Sequence, residues 1–304
     1  MQPMQSPARN AKYSLAHCAA SAAFHWRNVK REKNRMRAAT ATLLVLCGGQ
    51  RYIHFNHNGS RFRLRAAGLS RWLWQNPRCL LDGELFFSKF LRSGDTVLDV
   101  GANVGVHTLL ASRLVGDTGT IIALEPHPAT HRALLENTRL NRRENVRALH
   151  LAAGTEKGFV RLSDLSADDC NRVEHTGGIV APQETIDETC RGVGEVHLLK
   201  IDVEGYELPA LRHASGILRR TQCAVVEYSP ESASAFGYDA GQLIGFLSQH
   251  LPLGYELHEN GATATLTPLS GRYAPTKLVN LVFVRDPGVL ERRLGRGAVV
   301  SDKK

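Results

Sequence analysis

The stretch T-V-L-D-V-G-A-N-V-G-V-H-T at 96–108 limits the chain more than any other part of it. Residues 96–100 form an apolar, β-branched run with Asp99 near its end, and Leu109, Leu110 and Leu114 then recur at helical spacing. The period therefore changes from strand to helix across Gly101 to Gly105. Such a turn lies at the carboxyl end of a strand, where an open parallel sheet binds its ligands, because the loop and the next helix leave backbone N–H groups unpaired. Glycine at 101 and 105 permits positive φ and close approach of a ligand, and Asn103 tolerates the left-handed region.

A second strand, T-I-I-A-L-E at 120–125, ends in an acid whose carboxylate could accept hydrogen bonds from two ribose hydroxyls. The pair suits a nucleoside ligand, and the spacing separates the candidates. A dinucleotide fingerprint wants G-x-G-x-x-G, but here Asn103 stands in the middle glycine's place and Val106 in the third's. S-adenosylmethionine has no pyrophosphate to cradle, so D-x-G-x-N-x-G serves it.

Around these elements the chain reads as one α/β unit. The alternating residues around Asn58-Gly59 predict a β-hairpin, and its His54 and His57 lack partners at metal-ligand spacing. Residues 80–91 read as a helix carrying Glu84, which could reach the ligand. Helix-forming residues from His127, with Pro128 in the first turn, follow the second strand. Strands are expected at 146–152 and 158–162. The polar segment 163–195, with Asp164, Asp168, Asp169, Glu174 and His175, is expected to be a lid or insertion. Strands at 196–204 and 223–228, a helix at 242–251 and an antiparallel closing pair at 255–259 and 278–284 complete the pattern.

A second group of chemical residues ends the 196–204 strand: Lys200, Asp202 and Glu204. Ionisable side chains closing an apolar strand are costly unless paired or facing a cleft. A cleft shared with the glycine turn lets Asp202 or Glu204 take a proton from a substrate hydroxyl, or hold a divalent cation that acidifies it. A Lys–carboxylate pair that only fixes the strand end is the structural alternative.

V-L-D-V-G-A-N-V-G at 97–105, Glu125-Pro126, T-I-D-E at 185–188, L-K-I-D-V-E-G at 199–205 and V-V-E-Y at 225–228 together resemble the FkbM family of S-adenosylmethionine-dependent O-methyltransferases. The resemblance runs in motif order over residues 80–285, and K-I-D-V-E-G is its most specific part. It implies a class I methyltransferase (Rossmann-like) α/β fold: a seven-stranded sheet, mostly parallel with an antiparallel closing strand. It also implies S-adenosyl-L-methionine held by Asp99, Gly101, Asn103, Gly105 and Glu125; Glu84 is added as a cofactor contact from its place near the glycine turn in sequence. Asp202, Glu204 and Lys200 are the expected catalytic residues. Related sugar methyltransferases use Mg2+, so Asp187, Asp202 and Glu204 are candidate ligands by resemblance. The acceptor implied is a hydroxyl of a sugar, glycan or natural product.

The net charge of +9 does not overturn this. Residues 1–78 hold fourteen Lys/Arg and one acid, leaving 24 bases against 28 acids for the rest, so the basic excess lies outside the ligand-binding part. This disfavours a nucleic-acid methyltransferase, which is the competing reading, together with a non-catalytic protein that keeps the fold. No apolar run nears a membrane span, and six cysteines without a C-x-x-C pair fit reduced thiols, so a cytoplasmic protein is expected. Expected boundaries are a basic, disordered extension at 1–50, hairpin and connector at 51–79, the methyltransferase domain at 80–290 and a basic tail at 291–304.

Overall fold

The computed structural model describes residues 35–164, 171–174, 178–260, 263–271 and 273–295. Its first elements are a helix, α1 (Arg35–Leu46), and a hairpin of β1 (His54–His57) and β2 (Ser60–Arg63), closed by Asn58 and Gly59 at φ 43° and 77°. Both φ values are positive, as a two-residue hairpin turn requires. Helices α2 (Gly68–Gln75) and α3 (Glu84–Phe90) lead to β3 (Thr96–Val100), α4 (Val106–Val115), β4 (Thr120–Leu124), α5 (Pro128–Leu140) and β5 (Val146–Leu149). The strands β6 (Ala152–Ala153), β7 (Gly158–Leu162) and β8 (Ile179–Glu184) follow, and then β9 (Val196–Ile201), α6 (Glu207–Leu211), α7 (Ser215–Leu218) and β10 (Thr221–Tyr228). The chain closes with α8 (Ala240–Ser248), β11 (Leu253–Glu259), β12 (Ala264–Pro268), β13 (Val279–Val284) and α9 (Pro287–Leu294).

The main sheet has the order β12-β11-β13-β10-β9-β3-β4-β5. Strands β5, β4, β3, β9 and β10 are parallel neighbours, and β13, β11 and β12 add antiparallel. The expected seven strands and closing pair are all present, and β12 adds an eighth at the edge. Side chains alternate between two apolar layers, with Leu98, Leu199, Val226 and Phe283 on one face and Val97, Leu198, Val225 and Val282 on the other. Burial on both faces explains why these strands read as continuous apolar runs.

Several expectations are corrected. The strand predicted at 146–152 splits: β5 stops at Leu149, and Ala152 and Ala153 pair with Gln183 and Glu184 in a separate sheet ordered β6-β8-β7. Residues 158–162 belong to that sheet as well. The 163–195 segment is therefore partly strand, while Asp168, Asp169 and His175 lie outside the described residues. The helix expected from residue 80 begins at Glu84, after Gly83 in the left-handed region. The extension does not run as one loose stretch to residue 50. Ala38 and Ala41 of α1 are buried, Arg37 donates to the Trp74 carbonyl and Arg71 donates to Thr42. Residues 1–34 lie outside the described residues. The carboxyl-terminal boundary also moves, because Arg293 of α9 pairs with Asp95 at 2.6 Å and lies over the Phe90 ring.

Candidate active site

The chain runs from β3 out to β4 and β5, then crosses back to β9 on the other side of β3. That reversal opens a crevice at the carboxyl ends of β3 and β9. A cleft of about 300 Å³ occupies it, lined on one side by Gly101, Asn103 and Glu125 and on the other by Lys200, Asp202 and Glu204. The two groups of residues predicted from separate stretches of sequence thus meet.

Gly101 and Asn103 adopt positive φ, 82° and 50°. A Cβ at Gly101 would lie 1.8 Å from the Asp202 carbonyl oxygen, and one at Gly105 would lie 2.6 Å from Leu134. The turn is bare because β9 and α5 pass against it. Glu125, almost fully buried, accepts from the Asn103 N–H at 2.9 Å and the His127 N–H at 2.8 Å. Burial raises its carboxyl to about 7, and the two backbone donors oppose this. A carboxylate has about four acceptor positions, so Glu125 can still receive hydroxyls from the cleft.

In the parallel register Asp99 lies opposite Lys200. The Lys200 ammonium donates to the Gly101 carbonyl at 3.0 Å, pairs with Asp202 at 3.1 Å and lies 3.6 Å from Asp99. Burial alone would lower its pKa, but Asp202 and Asp99 outweigh burial and hold it above the ordinary lysine range. Asp99 is buried beneath the turn, where it accepts from Thr108 at 2.5 Å and does not line the cleft. It is linked to the cleft through Lys200, 3.6 Å away.

Gly105, packed on Leu134, does not line the cleft either, and two further predicted site residues stand elsewhere. Glu84 is fully buried behind the cleft, accepting from His57 at 2.8 Å, Asn58 at 2.9 Å and the Leu81 N–H at 2.6 Å. It fastens the hairpin to the 81–83 loop, whose residues do line the cleft. Asp187 accepts from the Gly216 and Ile217 N–H groups at the start of α7, and is not part of the Asp202 cluster. Its type and motif position matched a ligand, but its carboxylate caps a helix.

Glu227 takes the third place instead. Carboxylate oxygens of Asp202, Glu204 and Glu227 lie within 4.8 Å of one another. Burial and the charges of Asp202 and Glu204 push the Glu227 carboxyl well up. The signal was legible: Val226 pairs with Ile201, so Glu227 leaves β10 beside Asp202. His127, Asn171 and Arg172 also line the cleft, the last two from the described part of the 163–195 segment.

The family model for the FkbM methyltransferase domain matches residues 99–257, more than half of the chain. The chain belongs to the FkbM methyltransferase family. A curated family relative, the hexuronic acid methyltransferase AglP of Haloferax volcanii, is 28% identical over 138 residues. That match spans 44% of this chain and about half, 55%, of the relative. Among solved structures, the FkbM methyltransferase of Methylobacillus flagellatus is similar at 14% identity and a TM-score of 0.41, covering 70% of this chain and 52% of that one. A precorrin-6y C5,15-methyltransferase from Geobacter metallireducens is similar at 14% identity and a TM-score of 0.41, over 70% and 89% of the two chains.

Proposed function

We propose that this FkbM-family chain is an S-adenosylmethionine-dependent O-methyltransferase acting on a hydroxyl of a sugar, glycan or natural product. The observation that carries this reading is the convergence of the bare glycine turn, Glu125 and the carboxylates of Asp202, Glu204 and Glu227 on one cleft. The turn and Glu125 fit the adenosyl half, since Gly101, Asn103 and a buried acid line the cleft side by side.

When bound, the cofactor supplies a methyl group on a sulfonium, already activated for transfer. The chain's work is then alignment and proton removal. Lys200 fixes the end of β9 against the turn and pairs with Asp202. Asp202 receives the hydroxyl proton of the acceptor, and Glu204 and Glu227 orient that hydroxyl. The three clustered carboxylates also fit Mg2+, whose all-oxygen preference they meet; bound there, the ion would acidify the acceptor hydroxyl.

The relative's action on a hexuronic acid supports a sugar acceptor. Calorimetric titration with S-adenosylmethionine, followed by transfer of labelled methyl to a panel of sugars with and without Mg2+, tests the reading. Folded protein that takes up no cofactor would sink it.

A further inference from the structure

We propose that α1 and the turn after it form a docking surface for an anionic lipid bilayer. Residues 35–81 contain eight arginines, no lysine and no acid. No carboxylate among the described residues pairs with Arg37, Arg51, Arg71 or Arg78. Arg63 and Arg65 are instead turned onto Glu136.

Apolar side chains are interleaved with this charge. Of the eight large exposed hydrophobic residues among those described, five lie in this segment: Met36, Leu43, Leu46, Tyr52 and Leu80. Met36, Leu43 and Leu46 are 84%, 65% and 79% exposed, and their spacing of seven and then three residues puts them on one stripe of α1. The opposite stripe, Ala38 and Ala41, is buried where α1 packs on α2. The helix is thus apolar on both faces, but protein covers only one. Tyr52, in the turn after α1, is 75% exposed beneath the Arg51 guanidinium. At the other end of α1, Arg37 and Arg78 share a hollow with Pro77 and Cys79.

Exposed aliphatic groups flanked by arginines without a carboxylate partner are what an interfacial helix presents to acidic headgroups and the acyl boundary. A nucleic acid would use the arginines and leave Leu43 and Leu46 without a role; a second copy of the chain would set Arg37, Arg51, Arg71 and Arg78 against like charges. Among the described residues no helix is long and apolar enough to cross a membrane, so α1 would lie in the interface. Leu69 of α2, the helix that carries α1, lines the cleft, which places the docking surface one helix away from the site.

The test is co-sedimentation of the full chain with vesicles of phosphatidylcholine alone and with about one-third phosphatidylglycerol, read at low and high salt. Binding is expected only to the acidic vesicles, weakening with salt. Leu43→Glu/Leu46→Glu should lower the bound fraction about ten-fold while leaving the melting temperature and cofactor titration unchanged. The wild-type lipid and salt dependence stands as the readout should that variant misfold. No binding, equal binding to neutral vesicles, or full binding by the folded variant would overturn the proposal. So would a dimer, or an RNA complex of equal affinity, that the leucine pair alone abolishes without vesicles present.

Discussion

The carbonyl oxygen of Asp202 lies 1.8 Å from where a Cβ on Gly101 would stand, so the end of β9 and the turn after β3 are fitted to each other atom by atom. The same turn is also held by the Lys200 ammonium, which donates to the Gly101 carbonyl. Gly101→Ala must therefore move β9 as well as adopt an unfavourable φ of 82°. Backbone strain alone costs about 1–3 kcal/mol, and the clash adds to it. Thermal melting should show a large loss of stability, with cofactor binding lost in whatever remains folded. A melt like the wild type's would mean that β9 does not press on the turn.

Lys200 joins three groups that would otherwise be in difficulty: the buried Asp99, the cleft-facing Asp202 and the Gly101 carbonyl. Lys200→Met leaves the Asp99 carboxylate buried without its cation, a loss of about 3–5 kcal/mol for a broken buried pair. Urea denaturation measures it. Restoring much of that loss with Asp99→Asn in the same chain would show that the unpaired charge is the cause.

Glu125 makes the site sensitive to pH near neutrality. Burial raises its folded pKa from 4.5 to about 7, so between these values the unfolded chain ionises first and the fold loses stability as pH rises. Cofactor affinity should move the other way, rising through about 7 as the carboxylate forms and accepts ribose hydroxyls. Titrations from pH 5.5 to 8.5 read both, and Glu125→Gln should flatten both curves. A wild-type affinity that ignores pH would remove Glu125 from the nucleoside contact.

How far the sequence reached depends on whether a residue's role is local. The glycine turn, the hairpin at Asn58-Gly59 and the two acids ending β4 and β9 follow from local φ requirements and strand period, and the structure places them as read. Glu84 and Asp187 were misread because their partners are distant in sequence. His57 stands 27 residues from Glu84, and Gly216 stands 29 from Asp187. Nothing in a linear pattern separates a carboxylate that faces a cleft from one that caps a helix. Glu227 is missed for a related reason: its place beside Asp202 appears only when β10 is laid against β9 in register. Chain entry was misjudged because α1 has little local signal of its own and takes its position from α2.

Glu84 carries its own prediction. Burial would raise its carboxyl, but hydrogen bonds from His57 and Asn58 win and hold it below 4.5. A depressed folded value contributes stability above the unfolded pKa, and that contribution is lost as pH falls through the folded one. Glu84→Gln should thus be destabilised at neutral pH, by about 3 kcal/mol if the buried pair behaves as others do, and should lose less further stability on acidification below 4.5 than the wild type. Equal acid sensitivity in both would assign the acid unfolding to other carboxylates.

The division of labour across the cleft is tested by separating binding from turnover. Asp202 pairs with Lys200 on one side of the cleft, and the turn and Glu125, proposed above to take the adenosyl half, line the other. Asp202→Asn keeps the shape of the side chain and its contact with the strand end but removes the proton acceptor, so kcat should fall about 10²–10⁴-fold while cofactor affinity stays within a few-fold of the wild type. Glu227→Gln removes one of three close carboxylates while leaving both Lys200 and Asp202 in the chain, and should change the acceptor's KM more than the cofactor's Kd. If the Asn variant turned over normally, the proton would leave by another route, with Glu204 and Glu227 the remaining carboxylates of the cluster. If both variants lost cofactor instead, the carboxylate cluster would belong to the adenosyl half of the cleft.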